Sequence, residues 1–222
     1  MDRIEKRLST SYKEIRGQLI VRPLNYSLHI RDLKGCVYKK ISDFVLALYQ
    51  VLSDTGSSLA TSKIRRDELK KWGMEEQEEK VIEDALENTA RLYPACVYDK
   101  RIGCEVDFLK TDISRDDITF FSDHILLSTF RTTNGATALF YPGVREKMMD
   151  IMGGAFVAVF MNTNDVMIFD KKDPAAYRFL ETAKHSSDIG EMLSGRLYLC
   201  EGNDIAAGYV VKIYEDGEAT VE

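Results

Sequence analysis

The stretch AFVAVFMNTNDVMIFD, residues 155–170, decides the fold class of this chain. Two apolar runs, Ala155 to Met161 and Val166 to Asp170, flank the segment Asn162-Thr163-Asn164-Asp165, whose residue types favour a tight turn. Apolar runs of this length on either side of a turn predict a β-hairpin. Because the two strands of a hairpin pair in antiparallel fashion, this stretch excludes an all-parallel sheet.

A second hairpin is predicted immediately upstream. HILLSTFR, from His124 to Arg131, has the composition of a strand, and ATALFY, from Ala136 to Tyr141, has that of its return. Between them Thr132 to Gly135 includes an Asn-Gly pair, which accepts the positive φ angles that hairpin turns need. Two adjacent hairpins indicate a sheet built largely from antiparallel pairs.

Helices follow each predicted hairpin. Pro142 suits the first turn of a helix that runs to about Met152 and ends at Gly153-Gly154. Asp173-Pro174 suits the start of the next helix, and Arg196 to Glu201 has the composition of a further strand. The C-terminal half is therefore predicted to be β-β-α-β-β-α-β.

The N-terminal half also mixes helices and strands. Its predicted elements are a helix over 2–16, a strand over 18–24 with Pro23 at a sheet edge or strand end, one helical turn over 28–33, a hairpin of 43–52 and 58–64, and helices over 65–72 and 75–93. This pattern predicts an α+β fold, with an antiparallel or mixed sheet built from hairpins and helices packed on it.

Three regions are predicted along the chain, and they can pack as one domain. Residues 1–95 form an N-terminal α/β region and residues 122–222 form the C-terminal region. Between them, residues 96–121 show no clean hydrophobic period and are interpreted as an irregular linker or lid.

Composition restricts the compartment and the partners. The 222 residues are 45% hydrophobic and 30% charged, with a formal net charge of −6, so we expect a folded protein whose charge argues against nucleic-acid binding. The four cysteines are sparse and form no CxxC pair, which favours free thiols in a reducing cytoplasm. The charged start of the chain and the shortness of its apolar runs predict neither a signal peptide nor a membrane span.

Sequence motifs of known chemistry are missing. The chain has no phosphate-binding glycine loop, no nucleophile elbow and no zinc-ligand spacing, so we expect no cofactor and no metal. A basic cluster precedes Trp72 and consists of Lys63, Arg65, Arg66, Lys70 and Lys71. It could hold an anion or RNA, but nearby carboxylates favour an exposed helix face with Trp72 anchored to the core.

A ligand site is conceivable between the two predicted hairpins, near Asn134, Tyr141 and Asp165. Asx-turn chemistry in the predicted hairpin turn, however, explains Asp165 fully. Met148, Met149 and Met152 lie at helical spacing and are interpreted as core rather than as a binding surface.

Three stretches of the chain resemble an uncharacterised bacterial family, the domain of unknown function with series number fifty-six eighty-eight. They are DELKKWGM with ALENTARLYP in residues 67–94, NGA followed by LFYPG in 134–143, and residues 155–205 from AFVAVFMNTNDVMIF to MLSGRLYLCEGNDI. The WG-then-ALEN order is also remotely similar to YtpP-like proteins. The resemblance implies no activity, and the chain departs from the family pattern at Thr129 and Asp165.

Two functions from different classes follow. The first is a non-catalytic interaction or regulatory protein of the bacterial cytoplasm, acting through a protein partner or self-association. The alternative is an enzyme or small-ligand-binding protein with its site near the 132–142 and 161–166 hairpin regions.

Overall fold

A computed structural model describes residues 11–119, 124–131, 133–185, 192–202, 204–207, 211–213 and 219–221. The chain divides into two compact units, unit 1 (Met1–Leu92) and unit 2 (Tyr93–Glu222). Helices and antiparallel sheets occur in both units, which confirms the α+β prediction. None of the helices in these described ranges has the length and apolar character needed to cross a bilayer.

Unit 1 contains a four-stranded sheet. Its elements are α1 (Tyr12–Ile15), a 3₁₀ helix (Arg16–Gln18), β1 (Leu19–Asn25), α2 (Tyr26–His29), β2 (Tyr38–Lys40), β3 (Phe44–Asp54), β4 (Leu59–Lys63), α3 (Arg66–Lys71) and α4 (Glu78–Leu92). Residues 2–10 of the predicted first helix lie outside the described residues. The α-helix ends at Ile15, one residue before the predicted end at residue 16, and a 3₁₀ turn then leads into β1.

Strand β3 is the centre of this sheet. It pairs with β1 on one side, while β2 and β4 share its other side, and every pairing is antiparallel. The predicted hairpin is confirmed as β3 and β4, whose turn is closed by Asp54 accepting a hydrogen bond from the Gly56 amide at 2.9 Å. The predicted helix end at Gly73 is also confirmed, since its φ of 67° is left-handed.

Strand β1 lies at the edge of the sheet, as Pro23 predicted, and α4 protects that edge. The Asn88 amide donates to the carbonyl oxygens of Gly17 and Leu19 at 2.9 and 2.7 Å. The Thr89 hydroxyl accepts from the Val21 amide at 3.0 Å. These side chains occupy main-chain groups that an edge strand otherwise offers to other strands. The apolar residues Val81, Ile82, Ala85 and Leu86 of α4 are also buried.

Unit 2 contains a seven-stranded antiparallel sheet in the order β11-β10-β8-β9-β7-β5-β6. Its elements are β5 (Ala95–Asp99), β6 (Cys104–Asp107), α5 (Arg115–Ile118), β7 (Ile125–Thr129), a 3₁₀ helix (Gly135–Phe140), α6 (Val144–Met152), β8 (Phe156–Val159), β9 (Val166–Asp170), α7 (Ala175–Lys184), β10 (Leu197–Glu201) and β11 (Asp204–Ala207), followed by a separate pair, β12 (Val211–Ile213) and β13 (Ala219–Val221). The predicted hairpin of residues 155–170 is confirmed as β8 and β9, with Val157 opposite Phe169.

Side-chain alternation gives this sheet two buried faces. Val157, Val159 and Phe169 pack with Ala176 and Leu180 of α7 in one apolar cluster. Their neighbours along the strands point to the opposite face. There the ring of Phe160 stacks on Phe140 of the 3₁₀ helix at a centroid distance of 5.9 Å and meets Tyr198 edge-on at 5.0 Å.

The predicted return strand, Ala136 to Tyr141, is wrong. Residues 135–140 form a 3₁₀ helix, and β7 pairs instead with β9 on one side and β5 on the other. Both edges of β7 are therefore occupied, so no edge remains for a returning strand. Asn134 has a left-handed φ of 56° that turns the chain into the helix, and residue 132 of the predicted turn lies outside the described residues. The later helix starts are confirmed to within two residues.

The interpretation of residues 96–121 as irregular is also wrong. This segment contains β6, α5 and most of β5, and Cys96 pairs with Asp107 in the sheet of unit 2. The turn between the strands uses a left-handed Gly103, whose amide donates to Asp99 at 2.9 Å. Short strands joined by a charged turn show no extended periodic pattern of hydrophobic residues, so the sequence did not indicate them. The predicted domain division stays a prediction.

Candidate functional site

Asn134 and Tyr141, two of the predicted site residues, are linked through the interior of unit 2. The Thr137 hydroxyl lies 2.6 Å from the Asn134 carbonyl oxygen, to which it donates, and 3.1 Å from the Tyr141 hydroxyl. All three residues are buried, and Tyr141 is only 2% exposed. Burial raises the pKa of the Tyr141 phenol, while the Thr137 hydrogen bond opposes the rise. These groups hold the 3₁₀ helix together.

The two predicted site regions do meet in the structure. The Ala136 amide donates to the Thr163 carbonyl oxygen at 3.2 Å, and the Ser128 hydroxyl donates to the Asn164 carbonyl oxygen at 2.7 Å. Gly135 lies against the same Asn164 carbonyl, where a β-carbon would clash. The turn between β8 and β9 is thus packed closely onto the start of the 3₁₀ helix.

Asp165, the third predicted residue, interacts within its own turn. Its carboxylate oxygens each lie 3.5 Å from the side-chain nitrogen (Nδ2) of Asn162. Burial raises the pKa of this carboxyl, and the Asn162 contact partly offsets the rise. The turn bonds come from Asn162, whose side-chain oxygen accepts from the amides of Asn164 and Asp165 at 2.7 and 3.1 Å. Asx-turn chemistry therefore belongs to Asn162 and not, as predicted, to Asp165. Ligand binding at these residues stays a prediction.

Carboxylates surround much of the basic cluster before Trp72. Lys63 lies 3.8 Å from Asp32, Arg65 lies 3.6 Å from Asp67, and Arg66 forms a two-pronged pair with Glu78 at 3.0 and 3.1 Å. Trp72 is half-buried and its ring centroid lies 6.3 Å from that of Tyr12. This geometry supports the interpretation of the cluster as a helix surface with an anchored tryptophan.

The cysteines and the metal-binding residue types were also located. All four cysteines are free thiols, with Cys36, Cys96 and Cys200 buried and Cys104 exposed. Among the residues that the structure describes, no group of three His, Cys, Asp or Glu side chains could hold a metal ion. The predicted methionine core is confirmed for Met148 and Met152, which are 0% and 8% exposed.

An open groove of about 700 Å³ lies in unit 2 between α6 and the loop that leads into α5. Its lining residues are Asp112, Ile113, Ser114, Arg115, Gly143, Glu146, Lys147, Asp150 and Ile151. The α6 members recur at intervals of three and four residues and so lie on one side of that helix. Gly143 has a left-handed φ of 80°, and a β-carbon there would lie 3.7 Å from the side chain of Leu109. Leu109 is 42% exposed.

Both basic residues of the groove are already engaged by the protein. The Lys147 ammonium donates to the Thr111 carbonyl oxygen at 2.6 Å and lies 5.3 Å from the centre of the Phe108 ring. The Arg115 guanidinium lies 3.3 Å from the Asp170 carboxylate. These contacts fix α6 to the loop on one side and α5 to the sheet on the other, so the groove is built on secondary structure and on a tethered loop.

Sequence reasoning missed this groove. The polar face of α6 could have been located from helical periodicity, because Glu146, Lys147 and Asp150 alternate with the buried Val144 and Met148. The opposite wall lies in residues 111–115, inside the segment that was interpreted as an irregular linker. The sequence gives no signal that brings these two segments together.

Comparison with known proteins assigns the chain to a family but assigns it no function. A search of curated proteins found no match, and a search of solved structures found none either. The bacterial origin and the similarity to YtpP-like proteins stay predictions. One family model matches residues 2–182, described as a family of unknown function, DUF5688. Since this match covers most of the chain, the protein belongs to the family DUF5688.

Proposed function

We propose that this protein is a non-catalytic interaction protein of the bacterial cytoplasm that holds a short segment of a partner protein in the groove of unit 2. The observation that carries this proposal is the groove itself. It has a volume of about 700 Å³ and opens to solvent, and Ile113 and Ile151 add apolar surface to a polar lining. Partner segments commonly bind in grooves of this kind, where apolar contacts supply affinity and polar groups fix orientation.

The tethering of the groove supports the same function. Lys147 ties α6 to the Thr111 carbonyl, and the Ser114 amide donates to the Asp117 carboxylate at 2.7 Å, which caps α5. A groove held in one shape before binding loses less conformational entropy when a partner enters.

The alternative function is an enzyme or small-ligand-binding protein using the 132–142 and 161–166 regions. Asp165 favours it, because it is a partly buried carboxyl whose burial raises its pKa. Against it, Asn134 and Tyr141 are buried at 3% and 2% exposure, so a ligand that reached them would have to open the packing around Gly135.

A random peptide library displayed on phage and selected on the immobilised protein tests the proposed function. Enriched peptides are then measured against Asp150→Trp, which places a large ring in the groove, and against Glu105→Trp, which places it on the exposed strand β6. We expect Asp150→Trp to weaken binding at least about tenfold, since the ring occupies the peptide's space. Peptides that bind both variants equally would show that the groove is not the binding site.

A further inference from the structure

The groove of unit 2 has an acidic rim that its own basic residues do not neutralise. Asp112, Glu146 and Asp150 are exposed carboxylates, and within the described part of the chain none of them forms an ion pair. Among the described residues, Arg115 and Lys147 are the only basic ones that line the groove, and their cationic groups already bond to Asp170 and to the Thr111 carbonyl. The lining holds three carboxylates against two cations, and the charge of Arg115 is offset by Asp170, so the charge facing an incoming segment is negative.

The wider charge distribution strengthens this local imbalance. Unit 2, Tyr93–Glu222, has 13 lysine and arginine residues against 21 aspartate and glutamate residues, a formal charge of −8. A concave site in an acidic unit concentrates negative potential, which attracts cations and repels acidic chains. Charge complementarity of this kind selects partners and speeds association.

The apolar members of the lining narrow the chemistry further. Ile113 and Ile151 lie in the groove, and Leu109 lies beside Gly143 at one end with 42% of its surface exposed. Ile113 is only 7% exposed, but a small inorganic cation or a polyamine would leave the exposed parts of Ile151 and Leu109 in water. A peptide that alternates cationic and aliphatic side chains would satisfy the carboxylates and cover the aliphatic groups together.

We infer that the groove binds a lysine- or arginine-rich segment of a partner protein that also carries aliphatic side chains. This inference rests on the proposed function and names the partner's chemistry. The long aliphatic stems of lysine and arginine fit a site that combines exposed carboxylates with a few aliphatic side chains. The partner's cations would pair with Asp112, Glu146 and Asp150, since the groove's own cations are held elsewhere.

The composition of the peptides selected from the random phage-displayed library tests the inference. We expect lysine and arginine to exceed aspartate and glutamate at least about threefold in the enriched pool, because like charges are excluded from the rim. A selected peptide is then measured against the triple variant Asp112→Asn, Glu146→Gln, Asp150→Asn. The control triple variant is Glu105→Gln, Glu201→Gln, Asp204→Asn, which changes three exposed carboxylates of unit 2 outside the groove.

The groove variant should bind the peptide about tenfold more weakly, and the control less than about twofold more weakly. Only carboxylates that pair with the peptide contribute to its affinity, and each exposed pair contributes little by itself. Raising the salt concentration from about 0.05 M to about 0.5 M should also weaken binding, since screening shortens the reach of the charges. Equal losses in the two triple variants would overturn the inference.

Other outcomes separate this inference from the proposed function. An acidic or neutral peptide pool that Asp150→Trp excludes would leave the groove as the binding site and overturn the basic partner. Binding that ignores Asp150→Trp would overturn both. If the protein captured a second copy of itself, and sedimentation showed a dimer that Asp150→Trp abolishes, self-association would replace the foreign partner.

Discussion

Gly135 packs directly against the main-chain carbonyl oxygen of Asn164, so that the start of a 3₁₀ helix and the turn between β8 and β9 share one tight contact. The Ser128 hydroxyl reaches the same carbonyl at 2.7 Å and would lie 2.6 Å from a β-carbon at Gly135. The end of β7, the start of the 3₁₀ helix and the distant turn before β9 thus meet at a position where only glycine fits. The two predicted site regions therefore meet through close packing of the main chain.

Substitution of Gly135 by alanine should destabilise unit 2. The new methyl group would overlap backbone atoms of Asn164, which cannot move without shifting the turn, and we expect a loss of about 1–3 kcal/mol or more in the free energy of unfolding. Urea denaturation followed by circular dichroism measures this loss. Gly195→Ala is the control, because among the described residues a β-carbon there would meet the flexible Lys184 side chain alone, at 3.6 Å. Equal stability of the two variants would contradict the packing.

Replacement of Thr89 by valine should lower the free energy of unfolding, because it removes a hydrogen bond that protects the edge of the sheet. Valine keeps the shape of the side chain but leaves the Val21 amide without its acceptor in a buried position, so we expect a loss of about 1–3 kcal/mol. The control is Thr182→Val. The Thr182 hydroxyl donates to the Arg178 carbonyl oxygen at 2.8 Å, as the Thr89 hydroxyl does to that of Ala85, but it lies on an exposed surface. A Thr89→Val protein as stable as this control would show that α4 does not protect β1.

The stability conferred by Asp165→Asn should depend on pH. Burial raises the pKa of this carboxyl, so the folded protein binds its proton more tightly than the unfolded chain does, and ionisation at neutral pH weakens the fold. Asp165→Asn should therefore be more stable than the wild type at pH 7. The advantage should shrink as the pH falls towards about 3, where the wild-type carboxyl is protonated in both states. Thermal unfolding across this pH range measures it, and a variant less stable at pH 7 would show that the carboxylate is stabilising.

Thiol labelling should distinguish one cysteine from the other three. Cys104 is exposed, whereas Cys36, Cys96 and Cys200 are buried, and burial raises the pKa of the Cys96 and Cys200 thiols to about 12. Because the thiolate is the reactive form, we expect one fast equivalent of label in the native protein and four in denaturant. The Cys104→Ser variant should lose the fast phase. A fast phase that survives this substitution would mean that a buried thiol is accessible.

Local sequence signals predicted the elements whose causes are local. The hairpin of 155–170 follows from apolar runs around a turn, and α4 follows from apolar residues at helical spacing. Pro23 correctly marked an edge strand because proline cannot donate to a neighbouring strand. Each of these signals is read from residues that lie within one turn or one strand of one another.

Non-local pairing accounts for the errors. ATALFY, residues 136–141, has strand composition, but β7 finds its partners in β9 and β5, and the segment folds as a 3₁₀ helix instead. The strands β5 and β6, within residues 95–107, were missed because they pair with each other across a charged turn. The other partner of β5 is β7, which lies further along the chain. The groove was missed for the same reason, since its two walls are about thirty residues apart and share no motif.

An isoleucine methyl NMR titration with a library-selected peptide tests the central claim most directly, because isoleucines lie both inside and outside the groove. We predict that the methyl resonances of Ile113 and Ile151 shift on binding, while those of Ile82 in α4 and Ile168 in β9 stay in place. The same titration of Asp150→Trp should give no shifts at Ile113. Shifts at Ile82 or Ile168 with unchanged Ile113 and Ile151 would contradict the account.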